Sequence, residues 1–423
     1  MIRRATVVLA PALAAIALAP ALGCEQILGL HDIDAGPALQ PGEGGDDSIP
    51  FTSSGASSSG DDGSFPGVSD GSSGGASRDV SSSAASSSGS MEAGPASLGF
   101  TPSNFNPTTV LDGGIDWSSA QDIVDGLPPP VATIAMNDPN ATQADLFVLN
   151  SWVVNATTSL TISGDRPAIV LVLTTVDIHG AVTVEAGGYQ YASPGPGVGQ
   201  AGPNGGGAGA SYCGVGGQGS DATAPFPAGG PTYGNATLTP LQGGSAGAAG
   251  NNSGGGGTGG GAVQIVAGTS IAVRQYGSIN AGGKGSCCIT TGGGSGGAIL
   301  LEAPSVQIAG NVAANGGGGA GGDAVGADAT ANGTPAPGGA TAGLSGQGGQ
   351  GSAANDVNGG DGVFGSGGGN AGGGGGGAGR IRINTMSGKA TLAGSGLLSP
   401  ALPSADGGAD GGAACATQGA LGH

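Results

Sequence analysis

The sequence predicts an all-β fold: a short parallel β-helix or solenoid with glycine-rich extended insertions of polyglycine II type and a disordered N-terminal tether. Three observations lead there. A unit of glycine run, alternating apolar stretch and glycine recurs, as in GGGGTGGGAVQIVAGTSIAVRQYGSINAGGKG and GGGSGGAILLEAPSVQIAGNVAANGGGG. Apolar residues alternate within each copy, which places them on one face of short strands. Finally, 98 of 423 residues are glycine while aromatics make up 3% and charged residues 9%. A chain so rich in glycine and poor in aromatics cannot fill a large globular core, whereas a stack of short rungs needs only to cover its neighbours.

Aligning the copies gives the elements. Ile169, Leu171, Val176, Ile178 and Val182 have the same mutual spacing as Ile299, Leu301, Val306, Ile308 and Val312. Val263, Ile265, Ile271, Val273 and Ile279 repeat it with small insertions, as do Ile381, Ile383, Ala390, Leu392 and Leu397. Three strands per copy, turned by Gly, Pro or Asn, make one coil of a solenoid. Strand-like runs at 131–134, 146–149, 152–154 and 160–162 precede the copies, and residues 97–188 are expected to form a cap and first coil. The repeat body spans 254–400, and residues 401–423 are expected to be a flexible tail.

Two segments are too long for ordinary connections: 189–253, and 320–371 within the repeat body. The first carries Tyr189, Tyr191, Tyr212 and Tyr233, whose rings are candidates for contact with a glycan or other surface ligand. Glycine runs such as 372–377 read either as flexible linkers or as extended left-handed chains that bond to one another.

At the other end, Arg3 and Arg4 precede an apolar run broken by Pro11 and Pro20 and closed by Gly23-Cys24. The run falls short of the ~20 residues of a membrane span and has the form of a signal peptide, residues 1–23. Residues 24–96 are rich in Ser, Gly and Asp and lack apolar periodicity, so they are expected to be disordered. A tether of about 70 such residues has an r.m.s. span of roughly 45–50 Å.

Chemistry is sparse. A net charge of −19 with nine Lys and Arg argues against nucleic acid as a partner. Four cysteines follow Cys24: Cys213, Cys287, Cys288 and Cys415. A Cys213 bond to Cys287 or Cys288 would pin the first long segment, with a vicinal Cys287–Cys288 bond or thiols as alternatives. No metal set is read, since no CxxC pairs occur and Asp323, Asp328, Asp356, Asn358 and Asp361 fit solvated turns. No catalytic residue and no cofactor are expected. GGSGG at 293–297 satisfies a nucleophile motif only because glycine is so abundant. The enzymatic alternative is a β-helix polysaccharide lyase or hydrolase, but Asp177, Glu185 and Glu302 are dispersed, and Arg380 and Arg382 read as a solvated outer face.

The Gly23-Cys24 ending resembles a lipobox, although Ala21 stands where that motif usually has leucine. The resemblance implies lipid attachment at Cys24 and, with Glu25 following, an outer-membrane or cell-surface location. With the tether, the FTPSNF segment and the repeats, the chain resembles glycine-rich surface lipoproteins of Gram-negative soil bacteria. The glycine runs distantly resemble the polyglycine II sandwiches of bacteriophage tip adhesins, and also PE-PGRS-like arrays, without the helical N-terminal domain of the latter. What this implies is a non-catalytic structural or adhesive protein, membrane-held through its lipid and displaying loops toward a glycan or cell-surface ligand.

Overall fold

A computed structural model describes residues 98–105, 120–138, 140, 142–186, 195–251, 254–341, 343–366, 371–403 and 414–422. The expected signal peptide, Cys24, the tether, Tyr189 and Tyr191 lie outside them. The described part is all-β, without an α-helix.

Its strands come in triplets along the chain. They are β3 (Gln143–Leu149), β4 (Ser151–Val154) and β5 (Ser159–Gly164); β6 (Ala168–Val172), β7 (Thr175–Ile178) and β8 (Ala181–Ala186); β9 (Ala262–Ala267), β10 (Ser270–Val273) and β11 (Ser278–Asn280); β12 (Ala298–Glu302), β13 (Ser305–Ile308) and β14 (Asn311–Ala313); and β15 (Arg380–Thr385), β16 (Thr391–Leu392) and β17 (Leu397–Ser399). Two short strands, β1 (Asp122–Val124) and β2 (Ala132–Ala135), precede the triplets, and β18 (Ala416–Ala420) follows them.

Each member of a triplet joins its own sheet. First members form the seven-stranded order β18-β15-β12-β9-β6-β3-β2, second members the order β1-β4-β7-β10-β13-β16, and third members β17-β14-β11-β8-β5. Neighbours pair in parallel, except that β2 runs antiparallel to β3 and ends the sheet. No sheet closes into a barrel.

One core gathers inward side chains from all three sheets, among them Trp152, Val170, Val176, Val182, Ile265, Ile271, Ile279, Leu301, Ile308 and Ile383. The indole of Trp152 donates to the Gly126 carbonyl at 3.0 Å, so its polar edge is satisfied while its ring is buried. A second core lies on the outer face of the seven-stranded sheet. There Phe100, Phe105, Tyr212, Leu238 and Leu241 cover Ile169, Leu171, Val266 and Leu300. β6, β9 and β12 are therefore buried on both faces.

This double burial corrects the alignment at β6. Val170 pairs with Ile265, so Ile169 and Leu171 face the outer core rather than standing beside Ile299 and Leu301. A one-residue shift exchanges the faces, and AIVLV is apolar at every position, so periodicity cannot choose between them. Likewise Leu398, not Leu397, pairs with Val312. The tail is corrected too: β18 continues the large sheet in parallel register from Ile381↔Ala416 to Thr385↔Ala420, which satisfies backbone groups that a free tail would leave to water.

The glycine runs are ordered by bonds to one another. In 372–379, the N–H groups of Gly372, Gly375 and Ala378 donate to carbonyls in 357–363. Those of Gly373, Gly376 and Gly379 donate to 314–320, and those of Gly374 and Gly377 to 207–210. Its carbonyls accept with the same three-residue period from 213–220, 349–352 and 293–296. Each backbone group thus points to one of six surrounding segments. The run 292–297 repeats this, donating to 245–248, 374–377 and 281–284 and accepting, together with Thr290 and Thr291, from 207–210, 257–260 and 317–320.

The bundle inherits the neighbour relations of the sheets. Runs 254–261, 290–297 and 371–379 lead directly into β9, β12 and β15, and Gly257 bonds to Gly292 as Gly293 does to Gly374. The spacing requires glycine: a Cβ on Gly376 would fall inside the van der Waals shell of the Gly294 carbonyl oxygen, and one on Gly209 inside that of Gly375.

Urea unfolding should separate these contributions. Leu301→Ala, fully buried, should cost ~2–5 kcal/mol. Gly376→Ala should cost about 1–3 kcal/mol, because the bundle must spread to admit a methyl group. Gly126→Ala, where a Cβ meets nothing within 4 Å, should be neutral or gain up to about 1 kcal/mol. Equal effects of the two glycine substitutions would contradict close approach as the reason for glycine.

Candidate functional site

A concavity of about 490 Å³ lies where the corner of β3, β5, β6 and β8 meets the glycine segments at 195–196, 241–246 and 258–261. Strand ends bring Asp145, Phe147, Arg166 and Glu185 to it, and the insertion contributes Tyr233 and Gln242. Asp165 also lines it, and the other three charged groups are already engaged. Arg166 Nε donates to Asp145 Oδ1 at 2.8 Å, and Thr133 donates to the same oxygen at 3.1 Å.

Glu185 Oε1 stands 2.7 Å from Lys284 Nζ, which also lies 3.3 Å from Asp328. Burial pushes the Lys284 ammonium toward the neutral form, but the hydrogen bond to Glu185 and the charges of Asp328 and Glu185 prevail and hold its pKa above the usual lysine value. A lysine held charged in this way is no nucleophile. The pairs fix the cleft walls without offering a proton donor and acceptor poised over an open space.

The tyrosines are distributed differently from expectation. Tyr212 is fully buried and stacks on Tyr233, with ring centroids 4.4 Å apart and planes at 18°. Its hydroxyl donates to the Gln242 carbonyl at 3.0 Å, and that of Tyr233 donates to Gly243 at 2.6 Å. Arg380 sits 5.7 Å from the Tyr212 ring centroid and donates to the Tyr233 carbonyl at 3.2 Å. Tyr212 is therefore a core residue, not a ligand contact, because the insertion folds back onto the apolar outer face of the large sheet. Of the two described candidates, Tyr233 reaches the cleft.

The same folding back overturns the solvated reading of the arginines. Arg380 is buried, and Arg382 bonds to Asn384 Oδ1 at 2.7 Å and to the Gln418 carbonyl at 3.0 Å. The outer face also holds Glu302, fully buried. It accepts from the Ser103 amide at 3.0 Å and from Asn384 at 2.8 Å, and it also accepts from the Ser103 hydroxyl and Gln264. Together with Asn104, which bonds to Leu238 and Leu241, this network ties the 98–105 segment across the sheet. Glu302 is thus a structural tie, and one legible only once the segment nearly two hundred residues away is in place.

Cys213 is joined to Cys415, 202 residues later, and not to Cys287 or Cys288. The expected pairing fails because 213 lies at the end of the bundle beside β15, where β18 brings Cys415, whereas 287 and 288 lie at the opposite end. The Cys287 and Cys288 sulfurs approach to 2.8 Å, beyond the ~2.05 Å of a bond.

Ser295 is buried within the bundle, its hydroxyl accepting from the Ser245 amide at 2.9 Å. It has no access to substrate. Asp361 and Asn358 accept from the amides of Gln218 and Val215, and Asp328 from that of Gly285, so these turn residues terminate neighbouring segments. Among the described residues, no three His, Cys, Asp or Glu residues gather to hold a metal ion, and no helix is long and apolar enough to cross a membrane.

No family model, no curated protein and no solved structure matches the chain.

Two outcomes follow from this geometry. Peptide mapping without reduction should recover a Cys213–Cys415 cross-link, and Cys415→Ser should lower unfolding stability by ~2–4 kcal/mol. Alkali should also unfold the protein through its tyrosines. Burial pushes the pKa values of Tyr212 and Tyr233 well above the usual value, with Arg380 only partly offsetting it. A raised folded pKa contributes stability that is complete below the unfolded value of ~10 and is lost as pH rises beyond it. Phenolate absorbance from these two residues should therefore appear only together with loss of the native circular dichroism, and replacing both by Phe should shift the alkaline transition upward.

Proposed function

We propose that the protein is a lipid-anchored, non-catalytic structural or adhesive module of the cell surface, in which a parallel β-helix is braced by a bundle of polyglycine II-type chains. The single observation that carries this reading is the three-residue period with which run 372–379 bonds to six surrounding segments. Polyglycine chains with three residues per turn and no internal bonds direct successive groups outward at about 120°, and such a lattice is stiff because each chain is held on all sides.

The triplet strands, with each third strand stacked in parallel on the last, support the β-helix. Rigidity, with no cluster of competent acids, bases or nucleophiles among the described residues, suits display rather than turnover. Lipid on Cys24 and a tether over 25–96 would hold the body clear of an outer membrane.

Amide hydrogen exchange tests the bundle directly. The amides of 372–379 should be protected as strongly as those of β12, since linker glycines exchange at once and bonded ones only on opening. Exchange of that run at free-peptide rates would sink the reading. For the anchor, palmitate labelling should be present in the wild type and absent in Cys24→Ala. Release of reducing ends or unsaturated products from polysaccharides by the purified protein, lost on changing one carboxylate, would replace the proposal with a lyase or hydrolase.

A further inference from the structure

The hydrogen-bond register of the bundle separates its turns into two ends. Gly379 adjoins β15, so turns bonded near Ala378 lie at the sheet end and turns bonded near Gly372 lie at the far end. Ser220 bonds to Gly372, and Gly219 bonds to Pro227, which puts the intervening 221–226 turn beyond Gly372. Val363 accepts from Gly372 itself. Gly349 bonds to Gly373 and Gly322 to Gly346, so 343–346 also lies there. Gly373 bonds to Ala320 and Gly321 to Ala324, which places 321–325 at the same level. Run 292–297 rises in step with 374–377, so 287–290 begins at that end as well.

Each of these turns carries an outward apolar side chain. Phe226 is 47% exposed, Ile289 45%, Val325 53%, Leu344 63% and Val363 56%. Water-facing side chains of this size, gathered at one end of a body whose turns are anchored at both feet, are the mark of an interaction surface. Scattered exposed apolar residues elsewhere need no such account.

Charge selects the occupant. Asp221, Asp323 and Asp361 lie in or beside the same turns, and Lys284, which precedes 287–290, is already held by Glu185 and Asp328. Like charge opposes a second copy end to end, and it opposes a bilayer of anionic headgroups. Sugar faces stack on aromatic rings, whereas four of the five exposed apolar groups here are aliphatic. An aliphatic centre with an acidic margin complements a protein surface that is apolar at its centre and cationic around it.

We infer that the far end of the glycine bundle is a docking face for a protein partner of that chemistry, recognised through Phe226, Ile289, Val325, Leu344 and Val363. The inference rests on the non-catalytic display reading and names the face and the class of ligand. The face takes Phe226 from the aromatic insertion singled out in the sequence and is completed by four turns elsewhere in the chain.

The test uses the full-length protein and two labelled amphipathic helical peptides, one of Leu and Lys and one of Leu and Glu, read by fluorescence anisotropy. The Leu/Lys peptide should bind the wild type. The triple variant Phe226→Ser, Leu344→Ser, Val363→Ser should bind it about tenfold more weakly with an unchanged unfolding midpoint, since a few anchors carry most of such an affinity. A control, Val124→Ser with Tyr276→Ser, removes exposed apolar groups from the stranded part and should bind as the wild type does.

Equal binding to wild type and triple variant, or equal binding of the Leu/Glu peptide, would overturn the inference. So would self-association of the wild type that the triple variant abolishes, or preferential binding to phosphatidylglycerol vesicles. Hydrogen exchange on the same samples separates the two proposals: protected 372–379 amides with a peptide indifferent to the far end reject this inference alone, whereas unprotected amides reject the display reading.

Discussion

The structure depends on how closely two peptide backbones can approach. In the bundle, carbonyl oxygens occupy the space that a Cβ on Gly376 or Gly209 would need, so the six-neighbour arrangement depends on glycine at such positions. Glycine is the residue that loses most conformational freedom on ordering, and one net backbone hydrogen bond of ~1 kcal/mol barely offsets the ~1–2 kcal/mol of fixing a residue. A lone ordered glycine run would therefore dissolve. Run 372–379 persists because it both donates and accepts, and its partners are held in the same way.

The strands supply the alignment that the runs cannot supply for themselves. A glycine lattice has no side-chain register, and sliding by one turn would restore every bond. β9, β12 and β15 remove that freedom, because Val263, Ile299 and Ile381 must fall in line to fill the inner core. The disulfide from Cys213 to Cys415 and the Tyr212–Tyr233–Arg380 stack lock the insertion against the outer face of the same sheet. A chain with few large side chains thus concentrates them at the seam between its two kinds of order.

Much of the stranded part was legible. Where strands alternate, as in the SVQI of β13, the pattern names the buried face, and Val306 and Ile308 are inside as expected. Where a strand is covered on both sides, as in the AIVLV of β6, the pattern is silent, and the assignment of Ile169 and Leu171 went to the wrong face. The candidate site was less legible. An aromatic in a glycine-rich segment looks like a displayed ring, yet Tyr212 is buried, because what covers it comes from residues far along the chain. The insertions that carry Phe226, Val325, Leu344 and Val363 stand out by their length, but nothing local joins these single residues and Ile289 into one face, because they share only a level in the bundle.

By itself the sequence determined the all-β character and the triplet of strands per repeat, because these follow from side-chain periodicity, which is local. Tertiary structure alone decided that glycine runs with the composition of a linker form a bonded bundle, that Cys213 meets Cys415, that Glu302 ties 98–105 across the sheet, and which turns share an end. The reason is common to all four. Each depends on segments distant in sequence meeting at backbone or polar groups, and every residue carries the same backbone, so no local pattern records which partner it will find.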